Sequence, residues 1–224
     1  TVDLTEGTIS GTSSGELEAT TEIALKSGEV AANTNLAGSV PLNKTTGGTV
    51  DFKGRAKHTG ATNISAGTMN VTGSIENTSA VNVSGGTLKL NSTNAVHSSA
   101  GINVTGGALE VLENITVGDF EASGGTVTLG SGKQLTINPT TNLKQITGLT
   151  GSGKFKKTGS QTTILTGTNS YTGETRVSGG TLRINSSTAL STSTDVVVES
   201  GTILDVNSDI TVDTVSDAGD VDVA

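Results

Sequence analysis

At 224 residues the chain is long enough for one large domain or two small ones, yet only 2% of it is aromatic, with no Trp, one Tyr and three Phe against 31 Gly. That excludes the ordinary two-layer globule, whose centre leans on aromatic side chains, and the absence of Cys removes disulfides, thiolate metal sites and thiol nucleophiles. The net charge of −8 is lopsided, since residues 1–194 balance while every charged residue from Asp195 onward is acidic, so no basic stripe for nucleic acid exists and the short KFKK at 154–157 does not supply one.

From the N-terminus, TVDLTEG lacks the basic start and apolar centre of a signal peptide and reads as strand and turn. No apolar run is long enough to cross a bilayer as a helix. The sequence is therefore expected to be a mature or excised segment. From Gly7 onward, a glycine followed by a small residue and a hydrophobe returns at Gly28, Gly48, Gly67, Gly86, Gly107 and Gly125, at intervals of 18 to 21 residues. A longer gap, close to three such intervals, separates Gly125 from Gly180, and one further interval leads to Gly201. A fixed period of this size marks a solenoid.

Each period alternates. In VNVSGGTLKL (81–90), Val81 and Val83 precede the turn and Leu88 and Leu90 follow it; the same slots hold Ile102, Val104, Leu109 and Val111, then Phe120, Ala122, Val127 and Leu129. A period of two means strands with one face buried. The paired glycines supply positive φ or close backbone approach at a corner. A second corner is expected at Asn91, Asn185 and Asn207, with Gly130 in another period, since Asn tolerates the left-handed conformation. A third apolar pair then follows, as Ile115 with Val117, Leu135 with Ile137, and Ile210 with Val212.

Strand, corner, strand, corner, strand within one period is one coil of a parallel β-helix. The fold expected is all-β, a right-handed parallel β-helix of about eleven coils with 18–21 residues each, forming one domain over 1–224. Disorder does not fit, because disordered tracts do not keep Val, Ile and Leu alternating beside a recurrent glycine. A leucine-rich repeat would need a helical return segment, and a β-sandwich would give irregular spacing and more aromatics.

The stretch 148–184, GLTGSGKFKKTGSQTTILTGTNSYTGETRVSGGTL, resembles the passenger-associated transport repeat of bacterial autotransporter proteins. Gly151, Gly153, Phe155 in a leucine slot, Lys157, Gly159, Leu165, Gly167, Asn169, Tyr171, Gly173, Thr175, Val177, Gly180, Thr181 and Leu182 carry the match. Gln161 stands where glycine is usual, Thr163 fills an apolar slot, and Glu174 replaces a frequent glycine. The resemblance implies a secreted, surface-displayed β-helical passenger, carried across the outer membrane by a C-terminal barrel absent from these residues. It also implies that the repeat assists secretion and folding. Read physically, Tyr171 packs over a corner with its hydroxyl reaching a backbone group.

No catalytic, cofactor-binding or metal residue can be nominated. His58 and His97 stand alone in the sequence and are expected at the surface or at corners. Coils of 18 to 21 residues leave little room for the long loops that build a polysaccharide-cleaving cleft, and a carboxylate pair such as Glu110 with Glu113 can be picked almost anywhere. The acidic end from Asp195 lacks the spacing of known calcium loops; calcium there is the weaker reading, and alternation puts Asp in water and Val in the core.

The sequence thus points to a non-enzymatic extracellular adhesin or stalk, binding host or neighbouring-cell surface molecules or glycans through many weak contacts. No nucleic-acid partner is expected, and the membrane is reached only through the absent barrel. The alternatives are a structural protein joining end to end into filaments or a layer, and a polysaccharide-degrading enzyme. The absence of visible caps at either end is expected of a piece of a longer passenger or of a stacking subunit.

Overall fold

The computed structural model describes residues 1–11 and 15–224, and every regular element in them is a β-strand. All strand pairings are parallel. Twelve strands, from Val2–Leu4 to Asp220–Val223, form the first face of the solenoid, and eight, from Thr8–Ile9 to Leu149–Gly151, form the second. The third face is built from two sheets in line: four strands from Glu16–Glu18 to Ser74–Ile75, then six from Ile115–Val117 to Thr214–Asp217. Between them, residues 92–100 contribute only the isolated bridge Ile75 to Val96. Twelve strands on the first face mean eleven coils, about 50 Å of stack at the usual strand spacing.

Register sets the coil length. First-face partners Val2, Ile23, Leu42, Thr62, Val81, Ile102 and Phe120 follow one another at the interval read from the glycines. Beyond Phe120 the coils vary more: the pairing of Ala122 with Ile146 closes the longest of them and that of Val206 with Val223 the shortest. Alternate residues point inward and stack on their register partners, as in the column Ile64, Val83, Val104, Ala122, Ile146, Leu165, Ile184 and Val206. The few aromatics are all spent inside: Phe52, Phe120, Phe155 and Tyr171 are completely buried.

The paired glycines do two different jobs. Gly86, Gly107 and Gly125 take φ of +62°, +64° and +72°, which a side chain resists. The preceding glycines Gly106 and Gly124 have ordinary φ, but a Cβ there would sit 2.6 and 2.5 Å from the carbonyl oxygens of Ser84 and Thr105 in the coil below. The corner needs one glycine for its dihedral and one for the close approach of stacked backbones.

Three expectations change. The glycine series is not one column. Up to Gly125, the SGG corner joins a first-face strand, such as Val81–Val83, to a second-face strand, Thr87–Leu90. After Gly173 the same sequence joins Thr175–Val177 on the third face to Thr181–Ile184 on the first. Gly180 therefore stacks over Gln161, one face further round, because the motif specifies a bend between two parallel strands and not which corner of the prism it occupies. The Asn corners are not left-handed: among the described residues the one non-glycine with positive φ is Leu143, at 62°. The N–H groups of Asn91, Asn185 and Asn207 still bond the coil below, to the carbonyls of Val71, Leu165 and Ile184, so the backbone stays extended there. Finally, Ile210 and Val212 form no strand; they sit half-buried in a corner, and the third-face strand is Thr214–Asp217.

Candidate functional site

The inner columns are apolar except at a few slots, and those slots repeat. Lys157 lies on the third-face strand Lys154–Lys157 between Ile137 and Val177 and is completely buried. Its Nζ donates to the carbonyls of Thr158 (3.1 Å), Gly159 (2.8 Å) and Gly179 (2.7 Å). One ammonium thereby satisfies corner carbonyls of its own coil and of the next. Burial lowers its pKa to about 8, so at neutral pH the charge is retained and used. Lys44 is equally buried; its Nζ donates to the carbonyls of Thr46 and of Ala66 (3.2 Å), and burial lowers its pKa as well.

A second staple follows each lysine. The Tyr171 hydroxyl is hydrogen-bonded to Thr175 Oγ1, and burial raises its pKa. The backbone partner expected for that hydroxyl is replaced by a side chain, because Thr175 occupies an inner slot one strand away. The Tyr171 ring meets Phe155 edge-on at 6.4 Å. Asn169 accepts from the Leu149 N–H (3.0 Å) and donates to Ala189 O (3.0 Å), clamping three coils. In the earlier part of the chain, His58 Nε2 lies 2.9 Å from Thr62 Oγ1. The Thr62 hydroxyl donates to Thr78, so His58 carries its proton on Nε2 and leaves Nδ1 bare and unpartnered in the core. Burial lowers the pKa of His58 to about 4. His97 is exposed, as expected, and His58 lies in the corner segment between Arg55–Ala56 and Thr62–Ile64, but it is completely buried there and not at the surface. The sets Lys44–His58–Thr62 and Lys157–Tyr171–Thr175 have identical spacing, so His58 stands in one coil where Tyr171 stands in the other. Thr163, noted for filling an apolar slot, is buried with its hydroxyl unpartnered.

The outside is a set of ladders between register partners. On the first face Asn63 donates to Asn43 (2.9 Å), Asn82 to Asn63 (3.0 Å) and Asn103 to Asn82 (3.1 Å). Ion pairs bridge coils in the same way, Lys89 with Glu110 at 3.0 Å and Lys133 with Glu113 at 2.7 Å. At the acidic end Asp205 accepts from Arg183 at 2.6 Å and Asp195 from the Thr214 hydroxyl at 2.5 Å. Among the described residues no three His, Asp or Glu converge as a metal site would require.

The third-face ladder is interrupted between Ser74–Ile75 and Ile115–Val117. Where the two third-face sheets meet, residues 92–100 leave a groove of about 620 Å³ lined by Glu76, Asn77, Asn94, His97, Asn114 and Thr116 among others. A second hollow of about 350 Å³ shares Asn114 and Thr116 and runs on to Gln134, Thr136 and Lys154. No sequence motif marks these groove residues, because the groove arises from a missing strand.

The family model of the passenger-associated transport repeat matches residues 42–71 and 155–184. The second match is the segment whose residues carry the resemblance. The first escapes a reading by motif, since Ala56 and His58 replace the telling Asn-x-Tyr; the available signal is the equal spacing from Lys44 to Gly67 and from Lys157 to Gly180. Over 106 residues the chain is 38% identical to the Adhesin BmaC autotransporter of Brucella suis biovar 1 (strain 1330). That stretch covers 46% of this chain and 3% of that protein. No solved structure matches. A parallel solenoid carrying two such repeats, each with its buried lysine and its hydroxyl staple, resembles the passenger domains of bacterial autotransporters.

Proposed function

We propose that the chain is a non-enzymatic part of a secreted, surface-displayed adhesin, in which the solenoid serves as both stalk and contact surface. The carrying observation is the pair of passenger-associated transport repeats together with the likeness to a protein named as an adhesin. The geometry supports the reading. The core is an aliphatic stack without a reactive constellation among the described residues, and the faces present regularly spaced amides, hydroxyls and ion pairs suited to broad contact. The partners are surface molecules or glycans of a host or neighbouring cell, including copies of the chain on adjacent cells.

Beads coated with the purified chain should be retained on epithelial monolayers, or should cluster with one another, well above albumin-coated beads. Retention at the albumin level in both formats overturns the adhesive reading. Release of reducing ends or unsaturated sugars from a polysaccharide panel overturns the non-enzymatic one.

A further inference from the structure

We propose that the groove at the junction of the two third-face sheets binds a neutral polysaccharide, laid along the solenoid axis across several coils; this deepens the adhesive reading and rests on it.

Hydrogen-bonding capacity is partly spent on the first face and more open in the groove. Asn43, Asn63, Asn82 and Asn103 each commit one amide proton to the coil below, to Glu22, Asn43, Asn63 and Asn82, so a ligand there finds side chains already tied into a ladder, each with one proton left. In the groove the amides face space. The Asn94 side chain and the Thr116 hydroxyl make no hydrogen bond among the described residues, and Asn94 enters the network only through its backbone N–H. Asn114 Oδ1 accepts from the Gln134 N–H at 2.9 Å, which holds the side chain in place and leaves both Nδ2 protons to donate. His97 Nδ1 is engaged by Ser99, 2.8 Å from its hydroxyl and 3.3 Å from its N–H, which leaves Nε2 unspent. Asn114 and His97 are thus oriented by bonds to the chain, while Asn94 and Thr116 stand exposed with their hydrogen-bonding groups unspent.

Charge selects against anions. Glu76 is the carboxylate on the lining, and it is committed to Arg55 at 2.7 and 3.1 Å and to the Ser74 hydroxyl at 2.9 Å. Lys154 stands only at the far end of the second hollow. An anionic polymer such as a nucleic acid or a sulfated glycan would find no row of cations to replace its counterions. Neutral amides and hydroxyls match sugar hydroxyls, which both donate and accept.

Shape favours a polymer. The two hollows share Asn114 and Thr116 and together follow the coils from Glu76 through His97, Thr116 and Thr136 to Lys154. Successive coils offer comparable groups about every 4.8 Å, so the surface suits a chain of repeating hydroxylated units better than a single compact ligand. With no aromatic platform on the lining, each unit is held weakly and affinity must grow with chain length.

The test is titration of the purified chain with neutral glucan and mannan oligosaccharides from disaccharide to hexasaccharide, beside heparin and polygalacturonate of matched length. The expected result is binding by at least one neutral series, with the hexasaccharide at least tenfold tighter than the disaccharide and no comparable binding of the anions. Asn94→Ala and Asn114→Leu should each weaken the hexasaccharide at least fivefold, whereas Asn185→Ala, at an exposed Asn outside the groove, should not. Asn94 lies on an exposed loop, so its variant keeps the test sound if Asn114→Leu loses its fold by circular dichroism. No neutral binding up to the hexasaccharide, equal binding of the anions, or indifference to Asn94→Ala overturns the proposal. The two readings fail separately: bead adhesion unchanged in Asn94→Ala beside absent glycan binding sinks the groove and leaves the adhesin.

Discussion

At the scale of single residues, the two transport repeats differ at one informative position. His58 is buried neutral, with Nδ1 lacking any partner, and burial lowers its pKa from about 6.5 to about 4. An unfolded chain takes up a proton below pH 6.5 that the folded chain refuses, so stability is full above that value and falls as pH drops from 6.5 to 4. The loss amounts to about 3 kcal/mol at completion. No carboxylate compensates: the nearby ion pairs Arg55–Glu76 and Lys57–Glu16 lie on the outside. Thermal melts from pH 7 to 4 should therefore show a steeper decline for the wild type than for His58→Leu, whose baseline stability is lower but whose slope lacks this component. Lys157 makes a different prediction. Lys157→Met leaves the carbonyls of Gly159 and Gly179 without a donor and should cost about 1–3 kcal/mol in denaturant unfolding, while Lys156→Met, on the outward side of the same strand, should stay within about 0.5 kcal/mol.

At the scale of the coil, the corner is where sequence tolerance is lowest. Gly107 combines φ of +64° with a Cβ position blocked by the carbonyl of Gly86. Gly132 has φ of +69° and open space around it, and Gly47 has neither constraint. Replacing each by Ala should give a graded series in equilibrium unfolding. Gly107→Ala should cost well over about 2 kcal/mol, Gly132→Ala about 1–2 kcal/mol from dihedral strain alone, and Gly47→Ala should be neutral or stabilising by up to about 1 kcal/mol. Leu143 tests the same physics in reverse. It is 55% exposed with φ of 62°, at the corner of the longest coil. Leu143→Asn removes an exposed hydrophobe and suits the dihedral, so the melting temperature should rise slightly.

At the scale of the whole molecule, each coil touches only the coils beside it, so stability is distributed along the axis and need not be uniform. The last two strands, Thr214–Asp217 and Asp220–Val223, are largely exposed and lie in the acidic stretch that has no cation of its own. Hydrogen exchange should find the amides of Val81–Val83 and Ile102–Val104 most protected and those of Asp220–Val223 least. Added salt should slow exchange in the terminal coils selectively, by screening repulsion among the acids there.

The period of the coil, the alternation within it and the SGG corner are legible in the sequence because they are local. A bend needs glycine where it bends, and a strand with one buried side needs every second residue apolar, whichever coils lie above and below. The segment around Asn169 and Tyr171 is legible for the same reason: its residues lie close together along the chain. The tertiary structure decides what depends on neighbours a coil away. Which face each corner occupies follows from stacking register, so the shift of the SGG bend from one edge of the prism to the next after Gly173 leaves no mark in the motif. The burial of Lys44, Lys157 and His58 follows from which strand parity faces the axis and from carbonyls and hydroxyls supplied by other coils. The groove follows from a strand that residues 92–100 do not form, and only the stack of coils on either side turns that omission into a hollow with open hydrogen-bonding groups.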